Sequence, residues 1–278
     1  MKAELKKEQS IEDYHLRDGY ISKSSLANII DCPAKYKYWL DNPQTDKKHF
    51  NIGNAVHTLA LEPELFHARF FVIPEGIRKD ARTEKYQAVL AEAGNKKIIS
   101  KEDMTDILGM AESLRNNKKA LALLQAKGLA EASIYWQEDG LGFKCRPDFM
   151  RDEGLIVDLK MTKSAYKPFF QKDAHNYHYD MSVALTSRGY KALTGELPQN
   201  YVFLAVENKP PYVIEAYDSF RDFNGMDSLY KFGEYRLSMA IDKLKECRQT
   251  GDWHSYNRGI EALGIPSYAV SELAEQGE

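Results

Sequence analysis

Two short stretches carry residues suited to chemistry on a phosphate ester: Arg146-Pro147-Asp148 and Ile156-Val157-Asp158-Leu159-Lys160. Both read as parts of consecutive strands joined by a tight turn at Arg151-Asp152-Glu153, so a hairpin brings the two aspartates to one face. Strand side chains alternate with period two, so Asp158 and Lys160 point the same way. Leu159 turns away but still presents its backbone carbonyl. Asp148, Asp158 and that carbonyl are hard oxygen ligands of the kind Mg²⁺ takes. Metal there would polarise a scissile phosphate and lower the pKa of an attacking water. Lys160 would position that water or offset charge in the transition state. Packing explains these residues poorly, because Asp158 and Lys160 interrupt the apolar run from Leu155 to Met161, and charges are rarely buried without partners. Taken alone, Asp-x-Lys also fits a salt-bridged pair on an exposed strand.

The elements that must position these groups divide the chain into a helical first half and an α/β second half. Ser22 opens a helix through about Leu40, and Gly53 to Leu61 forms a second one stopped by Pro63. Thr83 to Ala93 and Lys101 to Lys127 are further helices, the latter broken near Asn116-Asn117. Ala132 to Gln137, Leu141 to Met150 and Gly154 to Met161 read as three strands, the first turn being Glu138-Asp139-Gly140. Ala165 to Leu193 then forms one long helix ending at Gly195. Tyr201 to Glu207 is an apolar strand with Tyr212 to Asp218 as its partner, and a last helix runs from about Phe220 to Thr250. The expectation is one α/β domain over residues 1–278. It comprises a flexible N-terminus (1–19), a helical part (20–130), an α/β catalytic core (131–250) and a C-terminal tail (251–278).

Bulk properties set the limits. The chain has 278 residues, 43% hydrophobic and 28% charged, the composition of a soluble globular domain. No apolar run approaches the ~20 residues of a membrane span, and the N-terminus lacks the apolar stretch of a secretory signal, so no membrane association and a cytoplasmic location are expected. Cys32, Cys145 and Cys247 lack metal-site or disulfide spacing. The net charge of −3 does not advertise a nucleic-acid binder. The charge is uneven, however: Arg78 to Lys127 holds eleven Lys/Arg against seven Asp/Glu, and DNA needs only a local basic path. No phosphate-binding loop, dinucleotide fingerprint or nucleophile elbow is present.

In order along the chain stand Tyr20-Ile21-Ser22-Lys23-Ser24-Ser25-Leu26, Cys32-Pro33-Ala34-Lys35-Tyr36 and Gly53-Asn54-Ala55-Val56-His57. Cys145-Arg146-Pro147-Asp148, Val157-Asp158-Leu159-Lys160-Met161-Thr162 and Tyr177-His178 follow. This ordered set resembles the PD-(D/E)xK nuclease superfamily of the RecB and lambda-exonuclease type, and specifically the RecE-type exonucleases (exonuclease VIII) of phages and prophages. The resemblance implies a restriction-endonuclease-like α/β core, a central mixed sheet flanked by helices, with a helical N-terminal extension. It further implies a 5′→3′ double-strand DNA exonuclease that uses Mg²⁺, with Mn²⁺ able to substitute. Such an enzyme leaves 3′ tails for a RecT-like annealing protein, works as a ring-shaped homo-oligomer, and acts in a bacterial or phage-infected cell. The helical histidine of the family corresponds to His57, a further metal ligand or organiser beside Asp148, Asp158 and the Leu159 carbonyl. The 5′-terminal phosphate of similar exonucleases lies near the first helix, where Arg17, Ser24 and Lys35 stand here. Arg146 is a further candidate to face a phosphate, and Arg78, Lys79, Arg82 and Lys85 to follow the duplex backbone. Relatives commonly place Gln and, four residues on, Tyr in the helix after Asp-x-Lys, where this chain has Asp180 and Ala184. Asp180 is either a metal-site carboxylate or a solvated helix residue, and Tyr177 and His178 are the groups one turn earlier that would compensate. The alternatives are an endonuclease or repair nuclease of other end preference, and a catalytically impaired DNA-binding module.

Overall fold

The computed structural model describes residues 3–42, 52–257 and 259–265. Strand β1 (Ala3–Lys6), helix α1 (Ile11–Leu16) and strand β2 (Tyr20–Ile21) come first, followed by α2 (Lys23–Asp31) and α3 (Pro33–Asp41). Next come α4 (Ile52–Leu61), α5 (Phe66–Arg69), β3 (Phe70–Val72), α6 (Glu84–Ala93), β4 (Lys97–Ile99), α7 (Lys101–Asn116) and α8 (Lys118–Leu124). Strands β5 (Gly128–Ala130), β6 (Ser133–Glu138), β7 (Leu141–Cys145), β8 (Phe149–Arg151) and β9 (Leu155–Thr162) open the second half. Helices α9 (Lys167–Asn176) and α10 (Tyr179–Thr194), strands β10 (Asn200–Glu207) and β11 (Ile214–Asp218), and helix α11 (Leu229–Thr250) complete it.

Strands β9 and β10 are near-continuous apolar runs, as expected of parallel strands buried on both faces. They pair in parallel from Leu155↔Asn200 to Thr162↔Glu207, at the centre of a sheet ordered β11-β10-β9-β8-β5. Val157, Leu159, Leu204 and Val206 pack on one face against Ala55 and Val56 of α4 and Ile107, Met110 and Leu114 of α7. On the other face, Ile156, Tyr201, Phe203 and Ala205 meet Phe170 of α9 and Val183 of α10. A second sheet, β1-β6-β7-β2, lays Trp136 and Phe143 against Leu26 and Ile29 of α2, Met181 and Leu185 of α10, and Leu237, Ile241 and Leu244 of α11. The β6–β7 hairpin closes through Asp139 (φ 50°) and Gly140 (φ 76°), the two left-handed positions that a tight two-residue hairpin turn demands.

Several sequence expectations change in the fold. The single strand expected over Leu141 to Met150 is two strands in different sheets, because the chain leaves the first sheet at Arg146-Pro147-Asp148. Pro147 has no N–H to give a ladder, which suits it to such a crossing. Residues 1–19, expected as a flexible lead-in, supply β1, which pairs antiparallel with β6, and α1, capped by the Ser10 side chain. The first helix is two, α2 and α3, divided at Cys32-Pro33. The helical part 20–130 also contains short strands, β3 and β4 pairing in parallel. The long helix after β9 is interrupted at Tyr177-His178, where His178 adopts a left-handed conformation (φ 54°). The last helix begins at Leu229 rather than Phe220. The expected break near Asn116-Asn117 is present, with the Asn117 side chain capping α8. No helix among the described residues is long and apolar enough to cross a membrane.

Candidate active site

Strand β8 pairs with β9 at Phe149↔Val157 and Met150↔Ile156, and among the described residues no strand pairs with the β8 side of β9 beyond Val157. Side chains take that role at Leu159. Its N–H donates to Asp148 Oδ2 (2.7 Å), and its carbonyl accepts from His57 Nε2 (2.8 Å). His57 thereby carries its proton on Nε2, and Nδ1 faces Asp148 Oδ1 at 3.6 Å and Glu131 Oε1 at 3.7 Å. Burial opposes a charge on the ring, but Asp148 and Glu131 outweigh it and raise its pKa to about 9. Burial pushes the Asp148 carboxyl up to about 7, against the pull of His57 and with the push of Asp158.

Glu131 was not found from the sequence. It lies in the connector between β5 and β6, in a left-handed conformation (φ 50°), and its N–H donates to the Asp148 carbonyl (2.9 Å). Nothing in the local residue pattern marks it; only the fold brings it to His57. Arg146, expected to face a phosphate, is instead almost fully buried. Its Nε donates to Glu131 Oε2 (2.8 Å), and its Nη1 donates to the Gln9 carbonyl (2.9 Å) and Ser133 Oγ (3.1 Å).

Asp158 and Lys160 do share a face, opposite to Leu159, as strand alternation requires. Asp158 accepts from Lys160 Nζ through Oδ1 and from the Tyr201 hydroxyl of β10 through Oδ2 (2.5 Å). Lys160 Nζ lies 5.2 Å from the centre of the Tyr179 ring. Burial opposes its charge, but Asp158 and Asp148 hold the ammonium pKa well above the ordinary lysine value. Beyond it, burial and the charge of Lys160 lower Lys23 to about 8. Lys23 Nζ donates to the Tyr177 carbonyl (2.6 Å) at the break between α9 and α10. Asp180 is fully buried and paired with Arg236 of α11 (3.2 Å), so it is not a solvated helix residue, and it lies outside the His57–Glu131–Asp148 cluster. Arg236 also bonds the His178 ring, whose Nε2 stands 3.3 Å from Asp31. Tyr177 is exposed and stacks on Tyr179.

The expected DNA contacts do not form one group. Arg17 pairs with Glu4 (2.5 Å) and lies over the Tyr135 ring (3.8 Å). Ser24 and Lys35 are exposed on α2 and α3, Lys35 beside Tyr256. Arg78, Lys79 and Lys85 are exposed in and beside the loop before α6, and Arg82 there is held by Asp80. A cleft of about 1120 Å³ opens over His57 and Glu131, bordered by Lys6, Lys7, Arg69, Lys96 and Lys97 as well as by Glu8, Glu62 and Glu64.

The donor set suits a divalent cation. His57, Glu131 and Asp148 each offer one ligand atom, and all three atoms lie within 4.8 Å of one another. A mixed sheet between helices, with Asp148 at the entry to one core strand and Asp158-x-Lys160 on the next, defines the PD-(D/E)xK, restriction-endonuclease-like fold. The chain belongs to the PDDEXK-like family of domains of unknown function DUF3799, which matches residues 22–263. Among solved structures, it is similar to a Eubacterium rectale protein provisionally described as an exonuclease: TM-score 0.60, 11% identity, covering 95% of this chain and 98% of that one. At that identity the likeness concerns the fold. An alkaline exonuclease from Laribacter hongkongensis is more distant: TM-score 0.29, 14% identity, covering 77% of this chain and 100% of that one. The search of curated proteins returns no significant match.

Proposed function

We propose that this protein is a Mg²⁺-dependent 5′→3′ exonuclease of double-stranded DNA, of the RecE type, leaving 3′ single-stranded tails for an annealing partner. The observation that carries the reading is the arrangement at β9. Asp148 and His57 grip the two backbone groups of Leu159 on one side, and Asp158 and Lys160 stand on the adjoining face. Asp148 and His57 would hold the cation, with the Asp158 carboxylate close by on β9. A divalent cation at this place supplies positive charge that polarises a phosphodiester and acidifies water. The protein's own part is to fix the groups around it. Tyr201 and Asp158 orient the Lys160 ammonium, and the raised pKa keeps it a cation. Lys160 therefore stabilises negative charge on the phosphorus oxygens rather than taking a proton from water. Action at ends, like the polarity, rests on the sequence resemblance. The ring-shaped oligomer and the RecT-like partner rest on the sequence resemblance.

Linear duplex labelled separately at each 5′ and 3′ end, digested with Mg²⁺ and with EDTA, tests this reading. The expected result is Mg²⁺-dependent release of the 5′ label as mononucleotide, with the 3′ label retained on long single strands. Cleavage of closed circular duplex, or early release of the 3′ label, would overturn the polarity. No cleavage by the folded protein in Mg²⁺ or Mn²⁺ would overturn the nuclease.

A further inference from the structure

We propose that Glu131 is a third protein ligand of the cation site, and that Arg146 is the residue that positions it. The proposal rests on the reading of His57 and Asp148 as metal-holding residues. Glu131 Oε1 and Asp148 Oδ1 stand 3.7 and 3.6 Å from the same ring nitrogen, His57 Nδ1. Both distances exceed an ordinary hydrogen bond, so the three atoms are spaced as donors about a common centre rather than as a closed hydrogen-bonded set. Asp158 is not one of these three groups; its oxygens accept from Lys160 and Tyr201. Glu131 thus supplies a carboxylate to this cluster from outside the sequence motif.

Two attachments hold Glu131 there. Its own N–H donates to the Asp148 carbonyl, so the backbones that carry the two carboxylates are tied together. Its other oxygen, Oε2, accepts from Arg146, which leaves Oε1 turned toward His57. Arg146 is fixed in turn by the Gln9 carbonyl and Ser133 Oγ, and Gln9 Oε1 accepts from the Tyr135 hydroxyl. A guanidinium planted behind one oxygen of a carboxylate orients the other, as groups behind metal ligands commonly do. The chain that fixes Arg146 begins at Gln9, before the residues matched by the family.

The test is Mn²⁺ affinity of the full chain without DNA, read by the free-Mn²⁺ electron paramagnetic resonance signal, with circular dichroism as the check on folding. Glu131→Gln keeps the shape and removes the charge. It should weaken binding by at least about tenfold, and Glu131→Asp by a smaller factor. Arg146→Ala should weaken it about tenfold, the usual scale for a group behind a ligand, and Arg146→Lys should recover part of that loss. Affinity within twofold of wild type in folded Glu131→Gln, alongside a clear loss in Asp148→Asn, would overturn the role of Glu131 and leave the nuclease reading standing. Absence of Mn²⁺ binding by wild type, or no effect of Asp148→Asn, would overturn the cation site and the inference with it. Should Glu131→Gln fail to fold, Glu131→Asp decides: unchanged affinity there overturns the proposal.

Discussion

At Lys160, burial and neighbouring charge act in opposite directions, and the charge of Asp158 and Asp148 prevails. Its neighbours favour the charged ammonium, which suits the side chain to stabilise developing negative charge in the proposed reaction. Lys160→Ala should therefore lower single-turnover cleavage by about 10²-fold or more, the scale of losing one preorganised charge partner, with duplex binding largely kept. Turnover near wild type in the folded variant would exclude this role. His57 and Asp148 give a second prediction, on stability in EDTA. The ring is raised from 6.5 to about 9, so the fold binds its proton more tightly than the unfolded chain does. Its contribution is complete below pH 6.5 and is lost as pH rises through 9. Asp148, raised from 3.8 to about 7, acts in the same sense at lower pH, because ionisation is disfavoured in the fold. The melting temperature of the metal-free protein should fall between pH 6.5 and pH 9, and His57→Asn should flatten that fall. A rising melting temperature over this range would contradict the assignment.

Among the elements, α10, whose Tyr179 ring lies beside Lys160, and α11 approach closely because position 233 has no side chain. A Cβ at Gly233 would lie 2.0 Å from the Asp180 carbonyl oxygen, a backbone atom that cannot swing away. Gly233→Ala should push the helices apart and destabilise the protein by about 1–3 kcal/mol, the usual cost of overfilling a packed interface, as denaturant unfolding will show. Wild-type stability would mean the contact relaxes freely. The same pair of helices buries Asp180 against Arg236. Asp180→Ala leaves that guanidinium without its carboxylate and should cost about 3 kcal/mol, as breaking buried ion pairs does. Its cleavage rate, measured where the variant is fully folded, should change far less than that of Lys160→Ala. A loss as large as that of Lys160→Ala would restore Asp180 to the reacting centre.

Among the described residues, the three larger apolar clusters pack on the four- and five-stranded sheets, and all three cysteines fall within the buried set. Cys32, Cys145 and Cys247 are each no more than 5% exposed, and burial pushes the Cys145 thiol up to about 12. A thiol reagent at pH 8 should therefore leave the native protein almost unmodified over minutes and react with all three thiols once denaturant is added, because the thiolate is the reactive form. Rapid modification of one thiol in the native state would show that part of this core opens readily.

Asp158, Leu159 and Lys160 were legible in the sequence because a strand has a period of two, and an apolar run interrupted by charges declares which face those charges share. A turn at Glu138-Asp139-Gly140 and the break near Asn117 were legible because their residues state the local backbone they require; that the turn is a two-residue loop is seen only in the fold. Residues whose partners lie far along the chain were not. Glu131 faces His57, Arg146 is fixed from Gln9, and Asp180 meets Arg236, each across separations that no local pattern reports. The break at His178 carries neither Gly nor Pro, and the groups at that place, Lys23, Asp31 and Arg236, come from α2 and α11. Local backbone preference and side-chain period are short-range properties and are written in the sequence directly. Pairing of buried charges depends on which surfaces the fold brings face to face, and that is decided only when the sheets and helices close on one another.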